Sequence, residues 1–113
     1  ARSRLVGLAR AMGLAILGER LPAERAAAWG LIWRCVDDED FAGEVDRLAA
    51  ELAAAPTLGL VRTREALRAA ATATLAEQLD RERDLQRELG YTADYAEGVA
   101  AFAEKRAPRF AGR

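Results

Sequence analysis

The sequence predicts a mostly α-helical chain with one short β-strand. Apolar residues recur at helical spacing along most of the 113 residues, alanine supplies much of the 51% hydrophobic content, and aromatic residues are only 6%. Alanine favours helix but fills little volume. The length suits one compact domain. We therefore expect either a thinly packed helical region or a segment whose apolar side chains are buried against other parts of a protein.

The first third of the chain predicts two helices and the strand. A helix is expected from about Ser3 to Leu17, with Gly18 as its C-cap. A shorter helix begins near Pro22, whose fixed φ suits a first turn, and ends at Gly30. The strand is predicted at Leu31–Val36, because branched and aromatic side chains are typical of strands.

The rest of the chain predicts helices joined by short connections. An acidic run before Phe41 suits a helix N-terminus. Thr74 and Glu77 have capping-box spacing, and Asp94 and Glu97 are the candidate caps of the last helix. No repeat, linker or domain boundary is visible, so residues 1–113 are treated as one region. The predicted helices are Phe41–Ala54, Leu58–Ala71, Leu75–Leu89 and Tyr95–Arg106.

Charge and cysteine content argue against several classes of function. The net charge is −1, with 17 basic and 18 acidic residues interspersed. No basic field would attract nucleic acid, and no lysine-rich face would attract a membrane surface. No apolar run approaches the roughly 18 residues of a membrane span. Cys35 is the only cysteine, so no internal disulfide forms, and a reduced, cytoplasmic setting is expected.

The residue types present leave few routes to catalysis. The chain has no histidine, which removes Ser-His-Asp and Cys-His sites and, with one cysteine, a zinc site. We therefore expect no metal. Carboxylates between Asp80 and Glu88 alternate with arginines and are interpreted as a solvated ion-pair face. Cys35 is expected to be structural, and Trp29 and Trp33 are expected to pack in the core.

Two stretches resemble the crotonase superfamily of enoyl-CoA hydratases and isomerases. Leu17–Ile32 reads LGERLPAERAAAWGLI, which is similar to the family's segment that ends in Gly-Leu-Ile or Gly-Leu-Val. Glu97–Phe110 reads EGVAAFAEKRAPRF, which is similar to the family's closing helix. Shorter stretches resemble the phenylacetate-degradation branch, whose members isomerise a ring epoxide to an oxepin. These stretches are Trp29–Asp38, Leu79–Arg87 and Ala93–Val99.

The resemblance implies that residues 1–113 form the helical C-terminal region of a spiral α/β, ClpP/crotonase-like fold. This region would cap the active site and build a homotrimer or a dimer of trimers. The N-terminal catalytic core, with its oxyanion hole and carboxylates, would lie outside this chain. The chain lacks an initiator Met, so we expect that it was cut from something longer or processed. No catalytic residue is therefore assigned here. The implied activity is isomerisation or hydration of an acyl-CoA thioester through an enolate.

The resemblance also implies a coenzyme A contact. Lys105 matches a lysine near the CoA phosphates, and Phe102 lies one turn earlier. The alternatives are an exposed helix-end cation for Lys105 and a core position for Phe102. An aromatic residue that some relatives place by the adenine aligns near Gln86, so this sequence departs from the family pattern at that contact. No cofactor is expected beyond the coenzyme A that forms part of the substrate thioester.

Two other classes of function remain open from the residues alone. A stand-alone helical oligomerisation or interaction module would need no catalytic groups. A helix-turn-helix DNA-binding domain would need a basic, exposed recognition face, whereas the arginines here are matched by carboxylates. The resemblance implies an acyl-CoA thioester and further copies of the chain as partners, and the charge pattern predicts no nucleic acid and no membrane.

Overall fold

A computed structural model describes residues 2–113. All regular secondary structure in this part of the chain is α-helical. The prediction of a mostly α-helical chain is therefore confirmed. The residues divide into two compact units, one ending at Glu44 and one running from Val45 to Arg113. The helices are α1 (Arg2–Val6), α2 (Leu8–Leu17), α3 (Ala23–Ala28), α4 (Asp38–Ala53), α5 (Thr57–Ala70), α6 (Leu75–Gly90) and α7 (Ala93–Glu104).

The predicted first helix is broken in two at Gly7. Gly7 has φ 82° and ψ 161°, a conformation that glycine alone adopts readily, and α2 starts immediately after it. The prediction of one continuous helix from Ser3 to Leu17 was therefore wrong. Gly18 ends α2 in the left-handed conformation, φ 65°, as predicted for a glycine C-cap.

The predicted strand at Leu31–Val36 was also wrong, because these residues form a bend and an irregular segment. The backbone N–H of Leu31 donates to the carbonyl of Ala26 at 2.9 Å, which closes the end of α3 instead of entering a ladder. Gly30 permits this reversal with φ 72°. A strand needs a neighbour for its backbone groups, and the described residues supply none.

The two tryptophans of the first unit have different surroundings. Trp29 is half-buried, and the guanidinium of Arg10 lies 5.0 Å from the centre of its ring. Trp33 is 77% exposed, and the guanidinium of Arg34 lies 4.6 Å from its ring centre. The expectation of core packing was therefore wrong for Trp33, which lies on the irregular segment that replaces the strand.

Local capping explains where the helices of the second unit begin. The Thr74 hydroxyl accepts from the Glu77 N–H at 3.3 Å, and the Glu77 carboxylate accepts from the Thr74 N–H at 2.8 Å. The predicted capping box of α6 is therefore confirmed. At α7 the cap is Thr92, whose hydroxyl accepts from the Tyr95 N–H at 3.1 Å. Asp94 and Glu97 were the wrong candidates for that cap.

Helix α7 ends at a residue with an unusual backbone conformation. Lys105 is left-handed, with φ 54° and ψ 39°, at a position that is usually glycine. The N–H of Arg106 donates to the carbonyl of Ala101 at 3.0 Å, and the Lys105 N–H donates to the Phe102 carbonyl at 3.3 Å. These bonds satisfy carbonyls that the end of the helix leaves free, and they turn the C-terminal tail back along α7.

Few side chains are buried among the described residues. The buried hydrophobic residues are Val6, Ala26 and Ala101, and two of the three are alanines. Large apolar side chains remain exposed in both units, including Leu5, Leu8, Met12 and Ile16 in the first and Leu67, Leu75 and Leu79 in the second. The expectation of thin packing is confirmed. Among the described helices, none is both long and apolar enough to cross a membrane.

Candidate functional site

An open apolar groove of about 430 Å³ lies in the second unit. Its walls come from the start of α5, the end of α6, one face of α7 and the C-terminal tail. Its volume lies within the range of small-molecule pockets, and apolar lining with few polar groups is typical of such sites. The main lining side chains are Leu58, Leu89, Tyr95, Val99, Phe102 and Phe110.

The two residues predicted to contact coenzyme A lie at the end of α7. Phe102 lines the groove and is 88% exposed, so the alternative of a core position is wrong within this chain. Lys105 is exposed at the C-cap of the same helix. The structure therefore leaves an aromatic ring and an ammonium group accessible within one helical turn. Their contact with coenzyme A stays a prediction.

Gln86 does not line the groove that contains Phe102. It belongs to α6 and lines a second hollow, between α5 and α6. In that hollow the Gln78 amide donates to the Ala66 carbonyl at 3.3 Å and to the Glu82 carboxylate at 2.7 Å. The Gln78 Oε1 atom is buried and has no hydrogen-bond partner among the described residues.

Three acidic residues of α6, Asp80, Asp84 and Glu88, form ion pairs with arginines. Arg83 lies 2.7 Å from Asp80 and 2.9 Å from Asp84, while Arg62 of α5 lies 2.6 Å from Glu88. Hydrogen bonds to these carboxylates raise the pKa of Arg62 and of Arg83 above the ordinary arginine value. The predicted ion-pair face is confirmed for these residues.

A buried carboxylate holds the C-terminal tail, and the sequence reading missed it. Asp94 is 6% exposed and accepts from the Ala111 N–H at 2.6 Å and from the Gly112 N–H at 2.8 Å. Its own N–H donates to the Arg113 carbonyl at 3.0 Å. These contacts join residues far apart in sequence, so helical spacing could not reveal them. The only local signal was an acidic residue near the start of a helix.

Glu97 holds the same tail one turn further along α7. Its carboxylate receives both terminal nitrogens of Arg106, at 2.6 and 2.9 Å, and the backbone N–H of Arg109 at 2.7 Å. The Arg106 hydrogen bonds are the main cause that lowers the pKa of Glu97 to about 2, and the Arg109 N–H adds to it. The same pair raises the pKa of Arg106.

The remaining candidates from the sequence lie outside the groove. Cys35 is half-buried in the first unit, with its sulfur 3.8 Å from the Val36 carbonyl oxygen. Its structural role stays a prediction. Among the described residues, no group of three or more His, Cys, Asp or Glu side chains could hold a metal ion.

The chain is similar to proteins of one family along nearly its whole length. The family model described as Enoyl-CoA hydratase/isomerase matches residues 2–113. The 1,2-epoxyphenylacetyl-CoA isomerase of Escherichia coli strain K12 is 54% identical over 110 residues, which are 97% of this chain and 42% of that protein. A probable enoyl-CoA hydratase of Rhodobacter capsulatus is 47% identical, over 97% of this chain and 43% of that protein.

Solved structures that are similar to this chain carry enoyl-CoA hydratase names as well. A putative enoyl-CoA hydratase/isomerase from Mycobacterium abscessus superposes with a TM-score of 0.92 at 37% identity, over 98% of this chain and 43% of that one. An enoyl-CoA hydratase subunit from Geobacillus kaustophilus superposes with a TM-score of 0.92 at 38% identity, with the same shares. The chain thus spans about two fifths of the length of these relatives. Its position at the C-terminal end of their fold stays a prediction.

Proposed function

The chain belongs to the enoyl-CoA hydratase/isomerase family, and from this premise we propose that it forms part of an isomerase of acyl-CoA thioesters. The resemblance predicted from Leu17–Ile32 and Glu97–Phe110 is confirmed by the family match over residues 2–113. The observation that carries the finer proposal is the 54% identity to a 1,2-epoxyphenylacetyl-CoA isomerase. We infer that the substrate is an enoyl-CoA or the CoA thioester of a ring epoxide.

The proposed reaction rearranges the acyl group without adding atoms. A base removes a proton next to the thioester carbonyl, and two backbone N–H groups stabilise the enolate oxygen that develops. Return of the proton at another carbon moves the double bond. With a ring epoxide, the corresponding rearrangement gives an oxepin. We assign the base and the oxyanion hole to the part of the protein outside this chain.

We propose that this chain covers the acyl-CoA site and joins subunits. Its exposed apolar side chains support that role, because burial of apolar surface contributes about 25 cal/mol per Å². Helices α6 and α7 are the proposed contact between copies in a trimer or a dimer of trimers. Leu79, Tyr95 and Phe102 are all more than half exposed, so they are available to such a contact. With Leu85 and Leu89 they form the proposed set of anchors.

Lys105 and Phe102 are the proposed coenzyme A contacts of this chain. The exposed ammonium of Lys105 can donate hydrogen bonds to a phosphate, and the Phe102 ring offers an apolar face nearby. The backbone of Lys105 supports this role. A residue other than glycine at φ 54° lowers the stability of the fold, and such strained residues are often found at functional sites.

The test is turnover by the protein expressed from its complete gene. A panel of CoA thioesters, including 3-enoyl-CoA, 2-enoyl-CoA and 1,2-epoxyphenylacetyl-CoA, would be followed by chromatography. We expect isomerisation of at least one of them. Absence of turnover for every thioester, with a folded protein that binds none, would instead favour a helical module without catalysis.

A further inference from the structure

Residues 106–113, which follow α7, are held against that helix by hydrogen bonds to two of its carboxylates. Asp94 binds the N–H groups of Ala111 and Gly112, and Glu97 binds Arg106 and the N–H of Arg109. Four separate points of residues 106–113 are therefore attached to two carboxylates one turn apart on a single helix.

The attachment at Asp94 uses two consecutive backbone N–H groups, those of Ala111 and Gly112, which donate to the two oxygens of one carboxylate. Directly after this contact the backbone of Gly112 is left-handed, with φ 77°, which glycine adopts without a steric penalty. A Cβ added at Gly112 would also lie 3.4 Å from the Thr57 hydroxyl oxygen, at the start of α5. The end of the tail therefore fits closely between α7 and α5.

The held tail completes the apolar groove. Phe110 lies between the two attachment points, at Arg109 and Ala111, and its ring lines the groove together with Tyr95 and Phe102. The ring lies against Gly98 of α7, with a carbon 3.8 Å from where a Cβ of that glycine would stand. Phe110 therefore packs directly on this turn of α7, at van der Waals distance.

We propose that residues 106–113 form a strap that Asp94 and Glu97 latch closed, and that the closed strap holds Phe110 in the wall of the groove. Asp94 is a positioning residue in this account. Its carboxylate is buried, and its two oxygens accept one N–H each. Release of the latch frees the strap and removes one side of the groove while α5, α6 and α7 stay folded. The inference concerns this chain alone and does not depend on the proposed reaction.

The test uses Asp94→Asn in the protein expressed from its complete gene. Asparagine keeps the shape but replaces one accepting oxygen with an N–H₂ group, which faces a backbone N–H it cannot bind. We expect amide exchange at Ala111 and Gly112 to become at least about ten-fold faster, since hydrogen bonds to charged groups are among the stronger ones. Trypsin should cut after Arg109 at a correspondingly higher rate, while α6 amides keep their protection.

The matched control is Asp80→Asn, which makes the same change in charge on an exposed ion pair of α6. We expect no change at the strap in that variant. Unchanged exchange at Ala111 and Gly112 in folded Asp94→Asn protein would overturn the proposal. If Asp94→Asn does not fold, Gly112→Ala decides, because it leaves every charge in place and strains the left-handed backbone that follows the two N–H groups bound by Asp94. Strap release in Gly112→Ala supports the latch, and normal protection of the tail contradicts it.

Discussion

Glu97 and Arg106 form a two-point ion pair, with guanidinium nitrogens 2.6 and 2.9 Å from the two carboxylate oxygens. The pair links the middle of α7 to the first residue after its left-handed C-cap. Parallel N–H···O bonds of this kind are stronger and more directional than single contacts. The turn at Lys105 is therefore fixed from both sides, by backbone bonds within the helix end and by this pair outside it.

The first prediction concerns the pH dependence of stability at Glu97. The pKa of this carboxyl is lowered to about 2, below the ordinary value of 4.5. Because the pKa is lowered on folding, ionised Glu97 stabilises the folded state fully above about pH 4.5. This stabilisation is lost as the pH falls towards 2. Glu97→Gln should therefore melt at a lower temperature than the parent at pH 7, and the difference should shrink below pH 4.5. Glu51→Gln, in the exposed pair with Arg47, is the control. A difference that stays constant from pH 7 to pH 2.5 would contradict this assignment.

The second prediction concerns the capping box of α6. Thr74→Ala removes the hydroxyl that accepts from the Glu77 N–H and leaves that N–H unpaired. We expect a loss of about 1 kcal/mol in the free energy of unfolding, measured by denaturant titration. Thr63→Ala, at an exposed position within α5, should change stability little or raise it. Equal changes in the free energy of unfolding for the two substitutions would show that the capping hydroxyl of Thr74 adds no stability.

The sequence could predict the features that depend on local spacing. The Thr74–Glu77 box, the glycine C-cap at Gly18 and the ion pairs of α6 all follow from residues within one helical turn. The break at Gly7 was missed because the helical apolar pattern continues across it, and only its positive φ reveals the interruption. Spacing cannot distinguish a glycine that is tolerated within a helix from one that ends it.

Long-range features could not be predicted in this way. The strand at Leu31–Val36 had suitable residue types, but strand formation depends on a partner that residue types do not reveal. The roles of Asp94 and Glu97 depend on where the tail folds back, after the turn at Lys105. Both acids were therefore interpreted from their distance to the helix start, where Thr92 provides the cap.

The third prediction separates strain from function at Lys105. Lys105→Gly should stabilise the fold by roughly 0.5–1 kcal/mol, because glycine adopts φ 54° without a steric penalty. The same substitution should raise KM for the CoA thioester about five-fold with kcat unchanged, since loss of one phosphate contact removes uniform binding. Lys105→Gln should raise KM without the stabilisation. An Arg81→Gln variant, exposed on α6, should alter neither quantity. An unchanged KM in both Lys105 variants would remove this residue from the coenzyme A site.

The fourth prediction concerns the exposed apolar face of the first unit. Met12, the only methionine, is 49% exposed here and shares a face of α2 with Leu8 and Ile16. If the rest of the protein covers this face, peroxide should oxidise Met12 far more slowly in the native protein than in the same protein in denaturant. Peptide mass spectrometry reads the extent of oxidation directly. Similar rates in both conditions would show that α2 faces solvent in the assembled protein.

The central claim is that the complete protein isomerises an acyl-CoA thioester, and the mass of its product tests this most directly. The protein expressed from its complete gene would be incubated with 1,2-epoxyphenylacetyl-CoA and with crotonyl-CoA. The masses of the thioester products would then be measured by mass spectrometry. We predict that the epoxide thioester gives a new product of unchanged mass, whereas crotonyl-CoA gives little or no product heavier by one water molecule. Efficient addition of water to crotonyl-CoA, with the epoxide thioester left unconverted, would contradict the account and make the protein a hydratase.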